Sequence, residues 1–244
     1  MIVRGIERAS DEQGVRQVFR ATLGLGRPVP FPLPGLARYE AVCLDWYLGP
    51  GRDDAGVVEH DGAVVGYALV CTDEAGHARA TRDAAVRFAA WAAPRIVARR
   101  LPEPARTFWR LRLRDGWAAW RHSRGSHRSR EGPPGAHAHL NLVQGARATH
   151  ATLDLLAHID DRVRAANLPA WQGEVNAVRG RRRSALERVV GPVVDTVPNR
   201  TYTWLMGRPV DRLTVERAVP SDNTLRVPGT PGMVGTCGGG NWAK

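Results

Sequence analysis

Two periods of apolar residues divide the chain into predicted helices and strands. Apolar residues recur every three or four positions in six segments that we predict to be helices: 12–23, 36–48, 78–98, 104–122, 149–167 and 179–190. Seven short runs rich in β-branched and aromatic residues are predicted strands: 3–6, 57–60, 64–71, 136–143, 169–176, 200–206 and 212–219. The clearest local signal is the Asp61-Gly62 pair between two such runs, which predicts a tight hairpin. We expect the last two strands to pair antiparallel across a turn at Gly207. This order predicts an α/β fold with a mixed sheet.

A basic segment interrupts the order of strands. Positions 78–135 contain 14 arginines and four acidic residues, a local excess of about ten positive charges. Such a face attracts phosphates, acidic substrates, nucleic acid or an anionic membrane surface, and a solvated pair of helices is the simplest alternative. We predict one domain over 1–219 with a basic helical insertion at 73–135. The Gly-, Pro-, Ser- and Thr-rich tail at 220–244 is predicted to be disordered.

Composition narrows the class of protein. The 244 residues are 43% hydrophobic and 24% charged, which is typical of a globular chain. No apolar run is long enough to span a membrane, and no signal core follows Met1, so we expect a cytoplasmic protein. The three cysteines form no CxxC pair, which argues against a disulfide framework and a zinc site.

Three stretches together resemble the GCN5-related N-acetyltransferase (GNAT) family. They are the hairpin Val57-Val-Glu-His-Asp-Gly-Ala-Val-Val-Gly-Tyr-Ala, the strand His139-Leu-Asn-Leu-Val, and Glu174-Val-Asn-Ala with Ala185-Leu-Glu-Arg-Val-Val-Gly. The resemblance implies a mixed, mostly antiparallel central sheet flanked by helices. It also implies acetyl-CoA as the acyl donor and a primary amine, on a small molecule or a protein, as the acceptor. In the family, the amine attacks the thioester directly in a ternary complex.

The family binds the pyrophosphate of acetyl-CoA on backbone N–H groups at the start of the central helix, where the helix dipole favours anions. With Leu153, Leu156, Ile159 and Val163 as the buried face of helix 149–167, the phosphate loop falls at 147–152. His150 and Thr152 then replace the small residues of the family pattern. The resemblance implies the following donor-binding residues: Leu142, Val143, Arg147, Ala148, Thr149, His150, Ala151, Thr152 and Asn176.

Two further features belong to this implied donor site. A backbone N–H near Val143 would stabilise the tetrahedral intermediate, and one arginine of 181–183 would contact the 3′-phosphate. The alternative is an ordinary strand-to-helix turn with Thr149 as N-cap and a solvated arginine face.

Candidate proton acceptors lie on the same strands. His137 and His139 are two residues apart on a strand, so both side chains point to one face, and histidine titrates near neutral pH. The pair resembles the His-x-His of arylalkylamine acetyltransferases; ordinary packed or solvated histidines are the alternative. Glu59 and Glu174 are alternative bases. No third ligand has a helpful spacing, so we expect no metal.

Two positions depart from the family pattern. The asparagine that touches the coenzyme and the tyrosine that protonates the leaving thiolate align with Arg179 and Leu186. This departure keeps a second interpretation open, a catalytically inactive GNAT-like module that binds CoA or a partner. A third interpretation is a nucleic-acid-binding protein that uses the basic insertion, but no helix-turn-helix, zinc-finger or RNP-type motif supports it. A homodimer is left open.

Overall fold

The computed structural model describes residues 1–126, 135–146, 149–180 and 183–220. The strands are β1 Ile2–Gly5, β2 Gly56–His60, β3 Ala63–Cys71, β4 Ala136–Leu142, β5 Ala170–Val178, β6 Val193–Pro198 and β7 Val210–Ala218. The helices are α1 Ala9–Thr22, α2 Leu36–Leu48, α3 Glu74–Val97, α4 Ala105–Ser126, α5 Thr149–Ala165, α6 Arg183–Val189 and α7 Arg200–Met206. Short 3₁₀ turns occur at Arg52–Asp54 and Gln144–Ala146.

One seven-stranded sheet runs through the described residues in the order β1-β2-β3-β4-β5-β7-β6. Every neighbouring pair is antiparallel except β4 and β5, which are parallel. These two strands pair only from Ala136 to Ala138, opposite Trp171 to Gly173. Beyond that point β4 continues along β3, and β5 continues along β7. The two strands therefore part and leave an opening between their carboxyl ends. The predicted α/β class, with a mixed and mostly antiparallel sheet flanked by helices, is confirmed.

Each face of the sheet carries its own hydrophobic core. Helices α1 to α4 cover one face, here called the first face, around buried aromatic residues that include Phe88, Phe108 and Trp109. Helix α5 covers the second face with Leu155, Ile159 and other apolar side chains. The aromatic residues of α3 and α4 therefore pack into the core in the half of each helix nearest their connection. Farther along α4, a stacked pair of tryptophans stays exposed to solvent: Trp117 and Trp120.

The predicted strand at 200–206 is wrong, because this segment is helix α7. The side chain of Asn199 accepts the N–H of Tyr202 at 3.0 Å and caps the helix start. Gly207 ends the helix in the left-handed conformation, at φ 63°. Helix α7 is also held from outside, because the Asp115 carboxylate accepts the N–H of Thr201 at 2.9 Å and its hydroxyl at 2.6 Å. These caps and contacts override the β propensity of the Thr-Tyr-Thr-Trp run.

Strand β6 was not predicted, and the expected hairpin across Gly207 does not form. Instead, β7 lies between β5 and β6 and pairs antiparallel with both. Strand β6 is a short edge strand that ends at Pro198, and its burial alternates residue by residue. The strand was missed because Pro192 and Pro198 bound it, and proline in a sequence favours the prediction of a loop.

The predicted buried face of α5 is wrong at one position. The Leu153 side chain is 48% exposed, whereas Leu155 is fully buried with Ile159 and Val163. Ala151 is buried as well, so the inward residues follow a spacing of four from Ala151 onward. The start of the helix is thereby fixed against the second-face core.

Two predicted segments fall largely outside the described residues. They are the tail, apart from residue 220, and positions 127–134 of the insertion. The insertion's two arginine-rich helices are present as α3 and α4. Within the described part of the chain, no helix combines the length and apolarity that a membrane crossing requires.

Candidate active site

The two histidines of β4 lie side by side on the first face. His137 is paired across the strands with Cys71, and His139 with Leu69. Their ring centroids are 5.7 Å apart, and both rings stand edge-on to the ring of Tyr47 on α2, at 6.2 and 5.9 Å. Strand periodicity therefore placed both side chains on one face, as predicted. It did not indicate the helices that cover them.

His137 is held between a buried hydroxyl and a carboxylate. Its Nε2 lies 2.7 Å from the hydroxyl oxygen of Tyr47, and its Nδ1 lies 3.0 Å from Oε1 of Glu74. Burial raises the pKa of Tyr47, so its hydroxyl remains a donor. The consistent tautomer has Tyr47 donating to Nε2 and Nδ1–H donating to the carboxylate. Glu74 would then stabilise a protonated His137. Glu74 begins α3, 63 residues earlier in the chain, and no sequence signal linked it to His137.

His139 and His77 are held neutral. Burial, with a smaller effect of the nearby His137 and His77, lowers the pKa of His139 to about 3. Burial also lowers the pKa of His77 to about 4, and His137 acts in the same direction. A neutral imidazole with such a pKa accepts or donates a hydrogen bond but takes up no proton at neutral pH. The two predicted histidines therefore differ, because His137 has a carboxylate partner and His139 does not.

The fold also supplies the further metal-ligating groups that sequence spacing did not reveal. Ligand atoms of Cys71, His77 and His137 lie within 4.8 Å of one another, close enough to hold a metal ion. Their present partners are protein atoms, however. Both nitrogens of His137 are hydrogen bonded, and Nε2 of His77 lies 3.2 Å from the hydroxyl of Thr81. Burial raises the pKa of the Cys71 thiol to about 12. We therefore treat this group as a hydrogen-bonded cluster, not as a ligand set.

The open edge of β4 presents backbone donors to the opening. The N–H of Val143 already donates to the carbonyl of Val65 at 3.0 Å, so it cannot serve as the expected donor. In an antiparallel ladder, N–H groups point alternately toward and away from the partner strand. The N–H groups of Leu140 and Leu142 consequently point away from β3, beyond the last pair between β4 and β5. Leu142, for which the resemblance implied a donor-binding role, lies on this edge of β4.

Helix α5 begins at the same edge of the sheet. Two predicted phosphate-loop residues, Arg147 and Ala148, lie outside the described residues, and only the backbone of Thr149 is described. His150 is exposed in the first turn, and Ala151 is packed into the core. Thr152 is half-buried. The first turn contains no acidic residue, so nothing there opposes an anion at the N-terminus of this 17-residue helix.

The other predicted residues are distributed around the opening and beyond it. Glu174 and Asn176 follow the last β4–β5 pair on β5, and strand periodicity puts them on the first face with Gln172, the partner of His137. The Glu174 carboxylate lies 3.5 Å from Arg212. The amide oxygen of Asn176 accepts from Asn199 at 2.7 Å.

Glu59, the other alternative base, belongs to an ion-pair network at the β1 edge. Arg4 reaches it at 2.7 Å and also reaches Asp11, whose pKa is well below its usual range because of that contact. The charge of Glu59 on β2 is therefore balanced by Arg4 on the neighbouring strand β1. At the two departing positions, Arg179 is paired with Asp211, and Leu186 lies on α6. Of residues 181–183 only Arg183 is described, and it pairs with Glu187 at 3.0 Å.

Comparison with solved structures identifies the fold. SsHAT matches with a TM-score of 0.54 and 18% identity over 90% of this chain and 98% of that one. An apo-form variant of an agmatine N-acetyltransferase matches with a TM-score of 0.51 and 13% identity over 89% and 98%. A GNAT-superfamily phosphinothricin acetyltransferase from Sinorhizobium meliloti, in complex with AcCoA, gives 0.49 and 15% over 93% and 94%. No family model and no curated protein sequence matches the chain. The chain shares the fold of SsHAT and of the agmatine N-acetyltransferase, and at these identities the likeness concerns the architecture alone.

Proposed function

We propose that the protein is an acetyl-CoA-dependent N-acetyltransferase whose catalytic domain spans 1–219, with 73–135 as part of its active site. The observation that carries the proposal is the opening between β4 and β5. The edge of β4 that points away from β3 faces it, and a Tyr47–His137–Glu74 chain lies beside it on the first face.

The described residues fit an extended acyl-thioester donor. The amide chain of such a donor would lie in the opening as an additional strand, with the N–H of Leu140 as a backbone donor. Its phosphates would lie at the start of α5, where free N–H groups and the helix dipole favour anions. The bound donor supplies an activated acyl group, and the protein holds it beside the acceptor.

The acceptor amine would approach from the first face. Its nitrogen attacks the thioester carbonyl carbon, and a backbone N–H on this edge of β4 stabilises the charge that develops on the carbonyl oxygen. The proton of the amine passes through water to the Tyr47 hydroxyl, which hands its own proton to Nε2 of His137, and Glu74 stabilises the resulting imidazolium. Neutral His139 orients that water by hydrogen bonding. The CoA thiolate leaves without being protonated by a tyrosine, which agrees with the presence of Leu186 at the position of that tyrosine in the family pattern.

Two measurements test this proposal. Calorimetric titration with acetyl-CoA should show micromolar binding, and a thiol-release assay with a panel of primary amines should show turnover. Glu74→Gln should lower kcat by about tenfold or more while leaving the KM for acetyl-CoA unchanged, because a charge-assisted hydrogen bond to His137 is lost. Glu103→Gln is the matched control, since Glu103 is exposed and pairs with Arg106 between α3 and α4.

The outcomes are distinct. Absence of acetyl-CoA binding at millimolar concentration would refute the proposal. Binding without turnover on any amine would instead support a GNAT-like module that binds CoA. Equal kcat for Glu74→Gln and the parent protein would remove His137 and Glu74 from the mechanism.

A further inference from the structure

A recess on the first face gathers arginines from three parts of the chain. It has a volume of about 620 Å³ and lies between α4 and α7 at the end of β5. Arg110 comes from α4, Arg179 directly follows β5, and Arg200 begins α7. Trp204 of α7 also lines it and stands edge-on to Phe31 at 6.0 Å, which gives the recess one aromatic wall.

The recess has more positive than negative charge. Asp211 binds Arg179 through two hydrogen bonds of 2.9 Å. Among the residues that the structure describes, no acidic side chain pairs with Arg110 or Arg200, and both are exposed. Two guanidinium groups are therefore available to a ligand, and guanidinium is the side chain best shaped to bind a carboxylate or a phosphate.

Contacts between the insertion and α7 preorganise the recess. The Asp115 carboxylate on α4 holds the N–H and hydroxyl of Thr201, next to Arg200. Earlier on the same helix, Arg110 and Thr107 line the recess. The spacing of the arginine-bearing segments is thus fixed by a hydrogen-bonded junction.

The recess lies beside the opening that the proposed function uses. Strands β4 and β5 are parallel, so Leu142 and Val178 end at the same edge of the sheet. Asn176, on the part of β5 that no longer pairs with β4, accepts a hydrogen bond from Asn199, the residue before Arg200. Along β5, Arg179 is three residues past Asn176, roughly 10 Å at about 3.3 Å per residue. A ligand could therefore reach from the opening into the recess.

We propose that the arginine recess binds an anionic group, a carboxylate or a phosphate, of the acceptor amine, roughly 10–15 Å from the reacting nitrogen. The proposal rests on the proposed N-acetyltransferase function and narrows its acceptors to elongated amines with an anionic end. It also assigns a role to the positive charge of the insertion, which the acetyl-transfer chemistry does not need.

Oligoglycines and their C-terminal amides give a matched test. Diglycine through pentaglycine place a carboxylate at increasing distance from the amine, about 3.5 Å per residue, and each amide differs only by the lost charge. Calorimetry with the CoA-saturated full chain and thiol-release kinetics are both measured. We expect the acid to bind about tenfold or more tightly than its amide at the lengths that span the gap, with the same preference in kcat/KM.

Variants locate the preference. In Arg110→Gln combined with Arg200→Gln, the difference between acid and amide should fall to less than about twofold, while acetyl-CoA affinity is unchanged. An unchanged affinity for acetyl-CoA would show that the recess binds the anionic group of the acceptor and not a phosphate of CoA. Arg114→Gln is the control, because Arg114 is an exposed arginine of the same helix outside the recess, and it should keep the preference.

Equal or undetectable binding of acid and amide at every length overturns the proposal, whether or not acetyl transfer is observed. A preference that survives the double variant overturns it as well. If acetyl-CoA fails to bind but the apo chain still prefers the acids, the acetyltransferase function fails and the anion recess remains. Circular dichroism and thermal melting of each variant exclude unfolding as the cause.

Discussion

The histidine cluster predicts that mild acid destabilises the fold. His139 and His77 have pKa values lowered to about 3 and about 4, chiefly by burial. The groups that face them are Tyr47, Cys71, His137 and the carboxylates that begin α3; those carboxylates raise the pKa of His77 without offsetting burial. In the unfolded chain both imidazoles take up protons near the ordinary value of 6.5. The unfolded state therefore binds more protons below that pH, and the free energy of unfolding falls as the pH falls.

The size of the effect follows from the two shifts. One pKa unit corresponds to about 1.4 kcal/mol. A pH of about 5 is roughly 1.5 units below the pKa of both histidines in the unfolded chain and still above their pKa values in the folded chain. Each histidine therefore lowers the free energy of unfolding by about 2 kcal/mol. Together they remove about 4 kcal/mol between about pH 7.5 and pH 5, a large part of the 5–15 kcal/mol typical of a domain. The loss ends for each group when the pH passes below its folded pKa.

Urea unfolding followed by tryptophan fluorescence, at about pH 7.5 and about pH 5, measures the effect. The double variant His77→Gln and His139→Gln should lose less stability on acidification than the parent chain, by about 4 kcal/mol. His60→Gln is the control, because this exposed histidine on β2 lies outside the buried histidine group. A double variant with the parent's pH slope would refute the assignment of these two buried groups.

Three glycine-to-alanine changes test local packing and backbone conformation, and each is measured by urea unfolding. Gly35→Ala should cost about 2–4 kcal/mol, because Gly35 has φ 85° and a Cβ there would overlap the Trp91 ring; a loss below about 1 kcal/mol would contradict this. Gly66→Ala should lower the free energy of unfolding by about 1–3 kcal/mol and weaken acetyl-CoA binding, because its Cβ would push on Leu142 at the edge of β4. An unchanged affinity for acetyl-CoA in calorimetry would show that this edge is not part of the donor site. Gly116→Ala, with open space around its Cβ in α4, should instead raise stability by about 0.5–1 kcal/mol.

Elements with a strong local signal could be predicted from the sequence. The Asp61-Gly62 turn and its flanking strands form as expected, with Asp61 and Gly62 both at positive φ. Helix α2 has the predicted bounds, because its apolar spacing and its bounding glycines agree. Helix α7 was missed because its stability depends on Asn199 and on the Asp115 carboxylate, which lies 86 residues away from Thr201. Local propensity carries no information about such a contact.

The candidate site was only half predictable for the same reason. Strand periodicity places His137 and His139 on one face, but it cannot show that the ring of His137 lies between Glu74 and Tyr47, 63 and 90 residues away. It also gave both histidines the same role, whereas burial leaves His139 with a pKa of about 3. Protonation depends on tertiary surroundings, which no spacing rule encodes.

The insertion is therefore an integral part of the proposed site. Its first helix brings the Glu74 carboxylate to His137, and its second brings Asp115 to the start of α7. Between these ends, fully buried Phe108 and Trp109 anchor the insertion in the first-face core, where the Trp109 indole N–H donates to the Pro34 carbonyl at 2.9 Å. Removing the insertion would expose that core and leave His137 without its carboxylate. Its positive charge would then serve the acceptor side of the opening, and the start of α5 would serve the donor side, so that two separate anion sites flank one reaction centre.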